Sequence, residues 1–172
     1  MVPLDEETTV AELELLGIRY LSRQTQERAA SVRPPDALIA DLVRQPSARV
    51  RGALIALLLA HPRYALAMPD ALARLSAAER WDLQVLYTAA MLLQQEHTEA
   101  LRSHLTTAWL WLPDLFSKEI GVSLEGTPQQ RLVTLGERHR NHTRKVVNWV
   151  GTFEKVVEQF LRSRKLEMTW SR

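Results

Sequence analysis

The chain has 172 residues, a formal net charge of +2 and no cysteine. A chain of that length buries about two thirds of its unfolded surface in one domain, so a core can form without disulfide or metal. The missing cysteine excludes disulfides, thiolate zinc sites and cysteine nucleophiles together. The beginning, MVPLDEETTV, is acidic where a secretory signal would be basic, and no long apolar core follows it. The most apolar run, Ala53 to Ala60, falls far short of the roughly 18–20 residues of a membrane span. The expectation is a cytoplasmic protein that does not contact membrane.

Helix signals dominate and strand signals are nearly absent, which predicts an all-α fold. Thr9-Val-Ala-Glu12 reads as a capping box opening a helix over 9–30. Helices over 36–45, 48–60 and 64–74 follow. A second box, Ser76-Ala-Ala-Glu79, opens a long helix over 77–105. After a short helix over 114–120, Thr127-Pro128-Gln129-Gln130 starts another over 128–141, with proline where its missing N–H costs nothing. The last helix is expected over 148–167. Pro34, Pro35, Pro46, Pro62, Pro69 and Pro113 fall at or near the breaks, because proline cannot donate inside a helix.

One stripe offers two readings. Leu132, Leu135, His139, His142, Val146, Trp149, Phe153, Val156 and Phe160 keep a three-and-four spacing that would suit a single helix. Against that, Asn141, Thr143 and Asn148 favour caps over helix interiors, and Gly151 weakens the middle. A break is predicted between Asn141 and Asn148, with Asn148 capping the final helix and Trp149 turned back onto the core.

Charge is uneven along the chain: residues 1–30 sum to −3, 31–80 to +3, 81–130 to −4 and 131–172 to +6. No linker-like tract sets the basic end apart. The expected organisation is one domain, 1–172, with a stack of helical hairpins over 1–105 and basic capping helices over 106–172.

Pro-Asp-Ala-Leu occurs at 35 and again at 69, and Pro46, Val50, Arg51, Ala53 and Leu57 stand where the turn and second helix of a HEAT repeat carry such residues. Residues 35–95 therefore resemble a HEAT-like helical repeat, although Ser76-Ala-Ala-Glu-Arg-Trp-Asp replaces the Pro…Val-Arg element in the second unit. The resemblance implies antiparallel hairpins stacked around a continuous core. Such stacks mostly bind proteins, some bind nucleic acid, and a minority are enzymes such as the HEAT-like alkylpurine DNA glycosylases. LPDLFSKEIG and the later N-W-x-x-x-F-E resemble, more loosely, uncharacterised bacterial all-helical proteins encoded beside nucleotidyltransferase-like proteins. A nucleotidyltransferase-like protein is the partner that this second resemblance implies.

Candidate sites follow from composition and spacing. Trp109-Leu-Trp-Leu-Pro-Asp-Leu-Phe116 holds three large rings in eight residues. On the surface, Trp109, Trp111 and Phe116 would anchor a partner; folded inward they would plug the end of the stack. A glycosylase-like reading of Trp and Asp114 is disfavoured, since both lie in one segment rather than on successive repeats. Arg131, Arg138 and Lys145 recur every seven residues, and Arg140 and Arg144 thicken the cluster. They form a candidate basic patch able to follow phosphates if one helix carries them, and a solvated face otherwise.

The histidines promise less. Metal at His139 and His142 would need further ligands from His97 or His104 on another helix. Arg138 to His142 has three intervening residues and Arg131 to His139 has seven, which misses the Arg-x4–6-His spacing of HEPN nucleases. His97 and His104 are expected on one helix face, and His61 near a helix C-terminus. No catalytic, cofactor or metal site is predicted. The expected function is a non-enzymatic protein-binding scaffold, an adaptor or neutralising partner of another bacterial protein, with nucleic-acid binding by the basic third as the alternative.

Overall fold

A computed structural model describes residues 5–22, 31–105 and 109–170, and all regular structure among them is helical. The first helix, α1 (Glu6–Leu15), departs from the sequence reading at both ends. Thr9 and Glu12 are not its cap. They lie buried in its interior, and the Glu12 carboxylate accepts from Arg33 Nε at 2.7 Å. Arg33 also pairs with Asp41, so two buried acids share one guanidinium. The helix stops at Leu15 instead of running to 30, because Gly17 takes a left-handed φ of 87° and Ile18 N–H returns to Leu13 O at 2.9 Å. Residues 23–30 of the expected helix lie outside the described residues.

Helices α2 (Pro35–Arg44) and α3 (Ala48–Ala60) pack on one another across a short turn. Ser47 caps α3 by accepting from Val50 N–H, and Arg51 closes the turn by donating to Gln45 O and Pro46 O at 2.7 and 2.8 Å. From Ala53 to Ala60 every α3 side chain is buried. Helices α1, α2, α5 and α9 and the following turn surround it. Each fully buried leucine there contributes about 2 kcal/mol, which makes α3 the centre of the core.

Pro62 ends α3 and starts a 3₁₀ turn, Pro62–Ala67, leading into α4 (Met68–Ala73). The expected box at Ser76 forms in full: Glu79 N–H donates to Ser76 Oγ and Ser76 N–H to Glu79 Oε2. It opens α5 (Ala77–Glu96), which ends nine residues before the predicted 105. At His97 the helix breaks, and α6 (Thr98–His104) begins. The His97 ring bonds Glu154 of α9 at 2.7 Å, a tie that fixes the break. His97 and His104 consequently do not share one continuous helix; His104 Nδ1 meets Ala100 O instead.

A short α7 (Ser117–Ile120) follows the tryptophan-rich segment, and α8 (Pro128–Thr143) starts at the expected Thr127 box, both bonds present. The predicted break between Asn141 and Asn148 is there. Arg144 ends α8 with a φ of 58°, and α9 (Trp149–Trp170) starts where Asn148 Oδ1 accepts from Gly151 N–H at 3.0 Å. Trp149 turns back to lie 4.3 Å from the His139 ring. Helix α9 packs on α3, α5, α6 and α8, so the last helix covers the middle of the core. Among the described residues, no single helix is long and apolar enough to cross a membrane.

Candidate partner-binding site

The segment from Trp109 to Phe116 has no regular structure, yet three buried polar side chains stitch it down. Gln94 of α5, 1% exposed, donates to Leu110 O at 2.7 Å and accepts from Leu112 N–H at 2.8 Å. Its amide thereby replaces the partner strand that an extended backbone would otherwise need. Tyr87 donates its hydroxyl to Pro113 O at 2.7 Å. Arg131 of α8 donates to Asp114 Oδ2 and Ser117 Oγ, both at 2.9 Å, and to Ser123 O at 2.8 Å. Burial alone would push the Asp114 carboxyl up. Hydrogen bonds from Ser117 and Arg131 outweigh it and hold the pKa below the usual carboxylate range.

Such stitching sorts the side chains. Leu112 and Phe116 turn inward, Phe116 edge-on to Tyr87 at 5.3 Å. Phe116 is core, and the sequence reading of it as a surface anchor is corrected on that ground. Trp111 turns outward at 53% exposure. Trp109, half-buried, meets it edge-to-face at 5.3 Å, and the Arg102 guanidinium lies over both rings, 4.8 Å from Trp109 and 5.7 Å from Trp111. Beside Trp111 stand Leu110 and Leu115, and across from them Pro62, Leu66 and Pro69 of the 3₁₀ turn and α4, enclosing a shallow apolar trough of about 390 Å³. Leu66 is 84% exposed. Sequence reasoning found Trp109 and Trp111 but not Leu66. A leucine in a Pro-flanked Ala/Leu stretch carries no signal of exposure; only the turn geometry turns it out.

The basic cluster is dispersed. Arg131 is buried in the Asp114 pair and is not part of any surface patch, which corrects that expectation. Arg138 lies over the Gly121 turn, its guanidinium 3.2 Å from where a Cβ would stand. Arg140, Arg144 and Lys145 are exposed at the end of α8 and in the following turn, and among the described residues none pairs with a carboxylate. Because α8 ends at Thr143, no single helix presents the heptad stripe.

His139 and His142 both meet one indole. Trp81 donates its indole N–H to His139 Nδ1 at 3.1 Å, and the same indole stacks on His142 at 4.1 Å. An indole nitrogen only donates, so His139 Nδ1 is an acceptor and its proton sits on Nε2. Burial, with the nearby charges of His142, Arg51 and Lys145, lowers the His139 pKa to about 4, which keeps the ring neutral. Among the described residues, no group of three or more histidine, aspartate or glutamate side chains could hold a metal ion. Comparison with protein-family models, with curated proteins and with solved structures returns no match.

Proposed function

We propose that the chain is a non-enzymatic helical scaffold that binds another protein, as an adaptor or neutralising partner, through the face formed by Leu66, Trp111 and Leu115. The observation that carries this reading is an exposed ring and an exposed leucine, Trp111 and Leu115, on a backbone bonded by buried side chains, with the exposed Leu66 across from them. Aromatic anchors supply a disproportionate share of interface energy, and a backbone already fixed by Gln94, Tyr87 and Arg131 loses little entropy when the partner arrives. In this reading α2 and α3 are a HEAT-like hairpin, the partner is a bacterial protein, a nucleotidyltransferase-like one by resemblance, and both meet in the cytoplasm. Nucleic-acid binding along the basic third draws less support, since Arg131 is occupied by Asp114 and α8 ends before Lys145.

Copurification of the tagged chain from its source cells tests the proposal. A specific protein partner retained by wild type and by Trp170→Glu, but lost with Trp111→Glu and with Leu66→Glu, is the expected result. Retention by both face variants would refute it. Self-association in light scattering that the same two variants abolish would assign the face to a second copy of the chain instead.

A further inference from the structure

A second cavity, on a different part of the surface, is unlike the apolar trough. It holds about 510 Å³ between the first half of α3, the start of α5, the end of α8 and the first half of α9. Its floor is apolar, made by Ile55, Leu86, Phe153 and Val156. Gly52 keeps α3 and α9 close there, with Val156 Cγ2 only 3.4 Å from where a Cβ would stand. Four cations line the rest: Arg49 and Arg51 from α3, Lys145 from the α8–α9 turn, and Lys155 from α9. Among the described residues none of the four pairs with a carboxylate within 4.0 Å, whereas Arg33, Arg44, Arg74 and Arg131 elsewhere all do. Arg49 and Arg51 are instead braced by backbone carbonyls, Tyr20 O for Arg49 and Gln45 O and Pro46 O for Arg51. The positive end of the α3 dipole adds to the field from the same side.

We propose that this cavity binds a free nucleoside phosphate, with its phosphates on Arg49, Arg51, Lys145 and Lys155 and its base against Trp149, read by Asp82 and His139. Three features carry the assignment. First, the cations exceed the single acid of the lining, Asp82, by three charges, which calls for a multiply charged anion such as a phosphate chain and leaves a monocarboxylate under-compensated. Second, the volume lies within the roughly 300–1,000 Å³ of small-molecule sites and leaves inorganic phosphate far too small to cover the apolar floor. Third, the lining holds an acceptor, a donor and an aromatic ring. Asp82 makes no hydrogen bond within the described structure, His139 has its Nε2–H free of the Trp81 bond, and the Trp149 ring, packed on His139 and Phe153, also lines the cavity. An acceptor and a donor are what a base edge needs, and an aromatic ring gives the base an apolar contact. A single cavity of this size takes one nucleotide, and Arg131, which would extend a strand-binding track, is engaged with Asp114.

Calorimetric titration of the full chain tests the proposal, using ATP, GTP, CTP and UTP, with adenosine, inorganic phosphate and a short single-stranded oligonucleotide as separate probes. At least one triphosphate should bind, with adenosine and phosphate each weaker by about tenfold or more. Lys145→Glu combined with Lys155→Glu replaces two exposed cations that have no structural bond through their side chains. The double variant should weaken the triphosphate about 100-fold without moving the melting temperature, and higher salt should weaken wild type. Trp111→Glu should leave nucleotide binding unchanged, which separates this site from the partner face. Silence toward every triphosphate at about 1 mM would overturn the assignment. So would phosphate binding as tightly as triphosphate, wild-type affinity in the double lysine variant, or an oligonucleotide binding tighter than any mononucleotide.

Discussion

The segment from Trp109 to Phe116 and the turn from Arg144 to Asn148 are both irregular connections that lay an aromatic ring on the core, yet opposite means hold them. In the first, Gln94, Tyr87 and Arg131 reach across from α5 and α8 to bond the backbone or its carboxylate. In the second, the bonds are local: Thr143 Oγ1 accepts from Lys145 N–H, and Asn148 Oδ1 from Gly151 N–H. Val146 at its tip is 87% exposed. A connection secured by buried polar groups from other helices presents a surface fixed before binding; one secured within its own few residues can adjust to what it meets. The apolar partner face sits on the first kind and Lys145 of the basic cavity on the second.

The sharpest way to break the contrast is to cut the first connection's strongest tie. Arg131→Met should cost about 2–3 kcal/mol, since it removes the shared donor of Asp114, Ser117 Oγ and Ser123 O. Asp114 is part-exposed, which keeps the loss below that of a fully buried pair. Hydrogen exchange should quicken at residues 110–117 and stay unchanged at 144–151. Equal acceleration in both connections would dissolve the distinction. In wild type, the Asp114 contribution is present above the ordinary carboxylate range and is lost as pH falls through its depressed pKa.

Acid probes the second connection through His139, against which Trp149 rests. Its ordinary value of 6.5 falls to about 4 in the fold. Between those values the unfolded chain takes up a proton that the folded chain refuses, so stability declines as pH drops from about 6.5 to about 4 and is unaffected above. The full decline is about 2–3 kcal/mol. His139→Gln keeps an acceptor for Trp81 but cannot titrate, so the wild-type minus variant difference in denaturant stability isolates this group from the carboxylates. A flat difference across that window would show that the fold does not lower the ring's pKa. His139→Leu should be destabilising at neutral pH, because it leaves the Trp81 N–H without its acceptor.

Gln94→Leu removes the amide clamp on Leu110 and Leu112 while nearly conserving volume. About 2 kcal/mol should be lost, and Trp111 fluorescence should report a more mobile ring. An unchanged melting temperature would mean that the segment is held by Leu112 and Phe116 packing alone.

How much of this was legible follows the same division between local and distant bonds. The Ser76 and Thr127 boxes and the Asn148 cap could be read because donor and acceptor lie three residues apart. Thr9 and Glu12 have the same pattern but were misread, because Glu12 is claimed by Arg33, 21 residues on. The break at His97 depends on Glu154, 57 residues away, and nothing in the local sequence interrupts the helix. Gln94 looks like solvent-facing polarity on an apolar helix, and Arg131 like one more cation in a basic run; their partners lie 16 to 18 and 17 residues distant, respectively. At the basic cavity Lys145 was visible in sequence within the basic run, but Arg49, Arg51 and Lys155 join it only through the packing of α9 on α3.

The smallest effect is the most specific to the local connection. Asn148 folds its side chain over the first turn of α9, so that a Cβ on Gly151 would stand 2.8 Å from Asn148 Nδ2 and 3.1 Å from Cγ. The cap and the glycine therefore require one another. Asn148→Ala alone should cost about 1 kcal/mol for the lost bond to Gly151 N–H. Gly151→Ala alone should also destabilise, since its methyl displaces the capping amide. Once Asn148 is alanine the clash is gone, and Gly151→Ala should then gain up to about 1 kcal/mol from helix propensity. The second substitution thus changes sign with the first, and the double variant should lie close to wild type. Strict additivity in chemical denaturation would mean that the α8–α9 turn does not hold its cap as a unit.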